Sequence, residues 1–178
     1  DNKLTPEDIP KLEGKLFWEG PKRRINLERF AMLLLLSTII ANYGVLKDST
    51  ATVIGAMIIA PLMVPIVAAA AALVMGDLNR AGRALLVVAA GVSGVIFVAF
   101  VSGAIHPIFI SFTTNSQIIG RVSPSLGDLI VALASGVAGA FAVSRDDVAD
   151  SLPGVAISIS LVPPLAVTGI SLSHGEFL

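Results

Sequence analysis

The chain has 178 residues, 54% of them hydrophobic and 14% charged, with a formal net charge of −1. Soluble domains carry about 25% charged residues, so composition points to a membrane protein and away from nucleic-acid binding. There is no cysteine, which excludes disulfides, thiolate metal sites and cysteine nucleophiles.

Residues 1–25 read as a cytoplasmic or interfacial N-terminal segment, in which Phe17 and Trp18 stand beside Lys22, Arg23 and Arg24. Aromatic rings next to cations suit the headgroup layer; a disordered linker from a preceding soluble domain is the alternative. A first apolar run over residues 27–46 is long enough to cross the hydrocarbon core. A polar turn, "KDST", leads into a second apolar stretch over 50–75 that carries Pro61 and Pro65 near its middle. Proline inside a helix removes a hydrogen bond and clashes with the preceding turn. A third run covers 84–105, with Gly91, Ser93, Gly94, Ser102 and Gly103 as small contacts for helix packing. Residues 106–124 form the longest connection, and Ser123-Pro124 reads as an N-cap followed by a first-turn proline. A fourth run covers 126–143, and a fifth, over 152–173, is interrupted by Pro163-Pro164.

Of the twelve Lys and Arg, seven (Lys3, Lys11, Lys15, Lys22, Arg23, Arg24 and Arg29) stand before or at the start of the first run, so the N-terminus is expected in the cytoplasm. If each of the five stretches crosses once, Arg80, Arg83 and Arg145 also fall inside, and only Lys47 and Arg121 fall outside. Re-entrant hairpins in place of crossings would put Arg80 and Arg83 outside.

The chain also repeats itself at an offset of 99. Residues 26–77 align without a gap on 125–176 with ten identities, among them Asp48/Asp147, Gly55/Gly154, Pro65/Pro164 and Gly76/Gly175. The repeat predicts one membrane unit over 26–105 and a second over 125–178. With three crossings in the first, the second starts on the opposite side and is inverted, an architecture common among secondary transporters. The expected fold is therefore an all-α, polytopic transmembrane helical bundle with an inverted repeat and two proline-broken helices. A third span of the second unit is expected beyond Leu178.

The motifs "STATVIGAMIIAPLMVPI", "ALVMGD" and "LPGVAISISLVPPLAVTGI" resemble those of the hydrophobic membrane proteins grouped as domain of unknown function 389. The resemblance covers about residues 27–175. It implies a multi-pass protein of the cell membrane of a bacterium or archaeon.

In hydrocarbon, irregular backbone is tolerated only where protein or water covers it, so the proline breaks are the first candidates for a site. Pro61 and Pro65 leave the carbonyls of Met57 and Pro61 without helical donors, and Pro163 and Pro164 do the same to Ile159 and Ser160. A solute or ion site is therefore expected at Ile59, Ala60, Pro61, Pro65, Ser158, Ser160, Pro163 and Pro164, with Thr168 and Ser171 extending the polar face. A kink repaired by Ser and Thr side chains is the structural alternative. Asp48 and Asp147, at matching turns, are candidate gates or N-caps, with Ser49 and Ser151 competing for the caps. Asn42 is the most polar residue at depth, and its expected role is helix–helix hydrogen bonding. No ionisable residue lies mid-span, which argues against a proton relay. Enzyme motifs are missing, so neither catalysis nor a cofactor or metal is expected. The leading reading is a transporter or channel for a small solute or ion, embedded in the bilayer as a homo-oligomer. The alternative is an oligomeric scaffold or sensor that anchors a soluble domain.

Overall fold

The computed structural model describes residues 13–14, 16–18, 20–105, 114–122, 125–143 and 153–175. After a 3-10 turn at Gly20–Lys22 come α1 (Arg23–Leu46), α2 (Thr50–Ile59), α3 (Met63–Val74), α4 (Leu78–Ile105), α5 (Ser116–Val122), α6 (Leu126–Val143) and α7 (Pro153–Ser173). Among the described residues the regular structure is all helical, as expected. α1 and α4 are each long and apolar enough to cross a membrane. The pair α2 and α3, bent by 53° at its break, makes a third candidate span. α6 and the C-terminal part of α7 are shorter apolar helices, so among the described residues two or three candidate spans meet that length.

Local chemistry explains the boundaries. α1 ends in a turn where Asp48 adopts a left-handed backbone (φ 50°). Ser49, not Asp48, caps α2, its hydroxyl accepting the Thr52 amide at 3.4 Å. α3 ends at Gly76, with φ 73°, where the Gly76 amide reaches the Leu73 carbonyl and the Asp77 amide the Ala72 carbonyl. That double bond is the Schellman closure, which glycine makes without a Cβ penalty. Asp77 then caps α4 by accepting the Arg80 amide at 3.0 Å. At α6 the expected cap at Ser123-Pro124 lies outside the described residues, and the cap that is present is Ser125. Its hydroxyl accepts the Asp128 amide at 3.4 Å, while the Asp128 carboxylate takes the Ser125 amide at 2.7 Å, a reciprocal box that satisfies two orphan donors.

The two proline motifs differ in outcome. The first interrupts the helix over Ala60–Leu62, and Pro65 then stands in the first turn of α3, where the amide it lacks would have had no partner. The second does not interrupt: α7 runs through Pro163 and Pro164, which corrects the expectation of a second broken helix. Thr168, one turn on, donates to the Pro164 carbonyl at 2.8 Å.

α7 is the hub, packing on α1, α2, α4 and α6. Lipid tails are as apolar as leucine, so close van der Waals contact rather than burial from water holds such helices together. Glycine makes that contact where α7 meets α4. A Cβ on Gly169 would lie 2.6 Å from the Ile96 carbonyl oxygen and 3.0 Å from the Phe100 nitrogen, and Gly103 faces Ser173 as closely. The main apolar cluster joins Phe30, Leu34 and Ala41 of α1, Ala56 of α2, Ala60 and Leu62 of the break, Val95 and Ala99 of α4, and Val162 and Ala166 of α7.

These contacts orient the elements. Arg23, which opens α1, lines one cavity with Pro65 and Ala68 of α3 and Arg80 and Arg83 of α4, so α3 ends at the end of the bundle where α1 begins. At the other end Val45 of α1 and Val53 of α2 cluster with Val167 and Ile170 of α7. α7 therefore runs antiparallel to α2–α3. The matched glycines Gly76 and Gly175 both take left-handed backbone, at opposite ends of the bundle.

Candidate functional site

The break is the natural centre of a site, and its chemistry follows from proline. Pro61 has no amide to give Met57, so that carbonyl has lost its helical donor. On the other side, the first amides of α3 have no acceptor within their own helix. A helix amino end also carries roughly half a positive charge. A donor-poor carbonyl and a positive helix end therefore meet at mid-height in the bundle.

The structure brings together part of the expected site. Ala60 (3% exposed), Pro65 and Pro163 are buried, Pro61 and Pro164 are half-buried, and Ile59 is exposed. Ala60 and Leu62 share one apolar cluster with Val162 and Ala166, which flank the α7 prolines, so both proline motifs contribute to the same core. The contact is apolar and closed. The side chains of Ser158 and Ser160, and Asp147, lie outside the described residues.

Two polar regions flank this closed contact. Towards the N-terminal end, a cavity of about 350 Å³ extends to Pro65 and Ala68 and is lined by Phe17, Trp18, Arg23, Arg80 and Arg83. The anchor expected at Phe17-Trp18 forms its cover. Trp18 packs edge-on against Phe30 with centroids 5.5 Å apart, and the Arg80 guanidinium lies 5.0 Å over the Phe17 ring. Arg80 also bridges to Asp77 at 3.4 Å and to Glu13 at 3.6 Å. Among the described residues neither Arg23 nor Arg83 is paired with an acid, so the vestibule carries a positive surplus.

On the far side of the break lie two buried polar groups that sequence reasoning placed but did not join. Asn42 is 1% exposed and Ser171 4%, and neither the Asn42 amide atoms nor the Ser171 hydroxyl has a hydrogen-bond partner among the described residues. The expectation that Asn42 bonds a neighbouring helix is thus not met. Asn42 is one turn before Val45 and Ser171 is beside Ile170, and Val45 and Ile170 share a cluster with Met57. Both orphans therefore neighbour the cluster that also holds Met57, whose carbonyl Pro61 leaves without a helical donor. A buried polar group without a partner costs about 1–3 kcal/mol, which makes the pair a departure from packing for its own sake.

Beyond them a polar knot closes the opposite end, and nothing in the sequence signalled it. The Asn115 side chain donates to the Val45 carbonyl at 2.8 Å and accepts the Gln117 amide at 2.9 Å. Ser116 donates to Asp48 at 2.6 Å, and the Gln117 side chain to Thr50 at 2.8 Å. Asp48 is therefore a clamp between the α1–α2 turn and α5, not the cap of α2. Its carboxyl is held below the usual aspartate range, chiefly by the Ser116 hydroxyl and further by the Ser116 and Gln117 amides. Residues 106–124 read in sequence only as a connection because the partner of Ser116 is some 68 residues away.

A family model described as Domain of unknown function (DUF389) matches residues 57–178. An uncharacterized protein of Methanocaldococcus jannaschii is 35% identical over 151 residues, which cover 84% of this chain and 46% of the archaeal protein. The chain thus spans about half the length of that relative. No solved structure matches the chain. The family match covers well over half of the residues, as the resemblance at the proline motifs implied: the chain belongs to the DUF389 family.

Proposed function

We propose that this DUF389 member is a membrane-integral passage for a small anionic solute, with the α2–α3 break as its gate. The observation that carries the reading is the sequence of environments along one line through the bundle. A positive vestibule reaches Pro65, a closed apolar contact follows at Ala60 and Leu62, and the orphaned Asn42 and Ser171 lie beyond it. Unpaired arginines raise the local concentration of anions at the entrance. The first amides of α3, with the Asn42 and Ser171 donors, would replace water around an anion at mid-height. The closed contact is then one state of an alternating gate, and the opposite directions of α2–α3 and α7 support an inverted repeat around it.

Cysteine-free sequence makes the test direct. Ala68→Cys in proteoliposomes should react with an anionic thiol reagent faster than with a cationic one, from the side that carries the N-terminus. Ala60→Cys should react only in the presence of a transported anion, with chloride and phosphate as the first probes. No reaction at Ala68→Cys, or equal rates for both reagents, would overturn the passage. Labelling of Asp48→Cys and Asp147→Cys from the same side would refute the inversion.

The dry packing at Ala60, Leu62, Val162 and Ala166 favours a second reading, a homo-oligomeric membrane scaffold that couples to a further domain. Retained assembly together with zero anion flux would select it.

A further inference from the structure

A second feature lies outside the bundle, where α1 packs on α4. A groove of about 570 Å³ runs between the two helices, from Arg23 and Arg83 at one end to Thr38 and Val98 at the other. Below the two arginines its walls are apolar, formed by residues such as Leu27, Phe30 and Leu86. Thr38 adds no free polarity, since its hydroxyl donates to the Leu34 carbonyl at 2.7 Å. Gly91 and Gly94 make the floor, and a Cβ on Gly94 would meet nothing within 4 Å. From Arg83 to Val98, α4 rises about 22 Å at 1.5 Å per residue. One leaflet of a bilayer core about 30 Å thick measures about 15 Å. The groove is therefore long enough for a whole acyl chain and ends in two guanidiniums at the depth of the headgroups.

We propose that this groove binds one anionic phospholipid, its phosphate held between Arg23 and Arg83 and one acyl chain laid along Phe30, Gly91 and Gly94. The inference does not rest on the passage, although the groove and the vestibule share Arg23 and Arg83 at their common end. Charge complementarity and shape select the occupant together. A soluble anion would leave the apolar length unused. A helix from a second copy would have to bring a carboxylate to the arginines. α4 contains no acid, α6 only Asp128 in its first turn, and Glu28 of α1 is already bonded to Arg24 at 2.9 Å.

The test is lipid retention by the full chain. Protein equilibrated with equal amounts of phosphatidylglycerol and phosphatidylcholine in detergent is passed through a sizing column, and its bound lipid is measured by mass spectrometry. Wild type should keep about one phosphatidylglycerol per chain in preference to phosphatidylcholine. Arg23→Gln and Arg83→Gln should each lower that preference by about fivefold, the worth of one basic side chain near an anionic surface. Gly94→Leu keeps both arginines, enters the groove at a position where a Cβ meets nothing within 4 Å, and should expel the lipid. Equal retention of the two lipids by wild type would overturn the proposal. So would unchanged phosphatidylglycerol in Gly94→Leu, or a Gly94→Cys disulfide between two copies that forms in the presence of excess phosphatidylglycerol.

Discussion

Replacing Gly169 by alanine should loosen the α4–α7 contact on which the bundle depends. The added Cβ would stand 2.6 Å from the Ile96 carbonyl oxygen, about 0.8 Å short of ordinary contact at 3.4 Å, and 3.0 Å from the Phe100 nitrogen. The Ala99 Cβ is nearer still and has no torsion by which to move aside, and the other two obstacles are backbone, so the two helices must part. Overpacking of this kind costs about 1–3 kcal/mol. The loss should fall in the upper part of that range, because α7 also carries the contacts to α1, α2 and α6. The matched control is Gly94→Ala on α4, where the Cβ enters open space. There the change should be neutral or stabilising by up to about 1 kcal/mol, the helical advantage of alanine over glycine. Unfolding of both variants in mixed micelles, followed by circular dichroism against rising SDS, reads the difference directly. Equal midpoints for Gly169→Ala and Gly94→Ala would refute the argument, since intrinsic propensity alone favours both substitutions alike.

Three further outcomes follow from single contacts. Asn42→Leu removes a buried amide that has no partner among the described residues, so it should raise stability by about 1–3 kcal/mol while abolishing anion flux; a destabilised variant would mean that Asn42 is satisfied in the membrane. The clamp at Asp48 should be pH-dependent. Its carboxyl is depressed in the folded chain, so the clamp is intact above the ordinary aspartate value of about 3.9 and is lost as pH falls through the lower folded value. Hydrogen exchange of residues 115–118 should accelerate there in wild type, and Asp48→Asn should exchange fast already at neutral pH. Ser125→Ala removes half of the capping box on α6 and should cost about 1 kcal/mol, seen as earlier loss of helicity at residues 126–130.

Much of this architecture is local and is therefore written in the chain. The apolar run of α1, the glycine that closes α3 and the proline at the α2–α3 break each act within a turn or two, through hydrogen bonds that a residue type either can or cannot make. One pair matched at the offset of 99 behaves the same way: Gly76 and Gly175 take the same left-handed backbone. Membership of the family was legible for the same reason, in motifs built around those prolines.

What the sequence could not decide was how equivalent signals are spent. Pro65 and Pro164 occupy matching positions, yet one stands in the first turn of a helix and the other inside a continuous one. A proline forbids one hydrogen bond but does not dictate whether neighbours make good the loss. That depends on packing from α1, α2 and α4. Asp48 looked like a cap and became a clamp because its partners, Ser116 and Gln117, come from a segment that only the fold brings near. Asn42 and Ser171 were visible as polar letters in apolar helices, but their lack of partners among the described residues is a property of the assembled bundle. Residue chemistry set the elements and their ends, whereas the meeting of distant helices decided which polar groups found partners among the described residues and which did not.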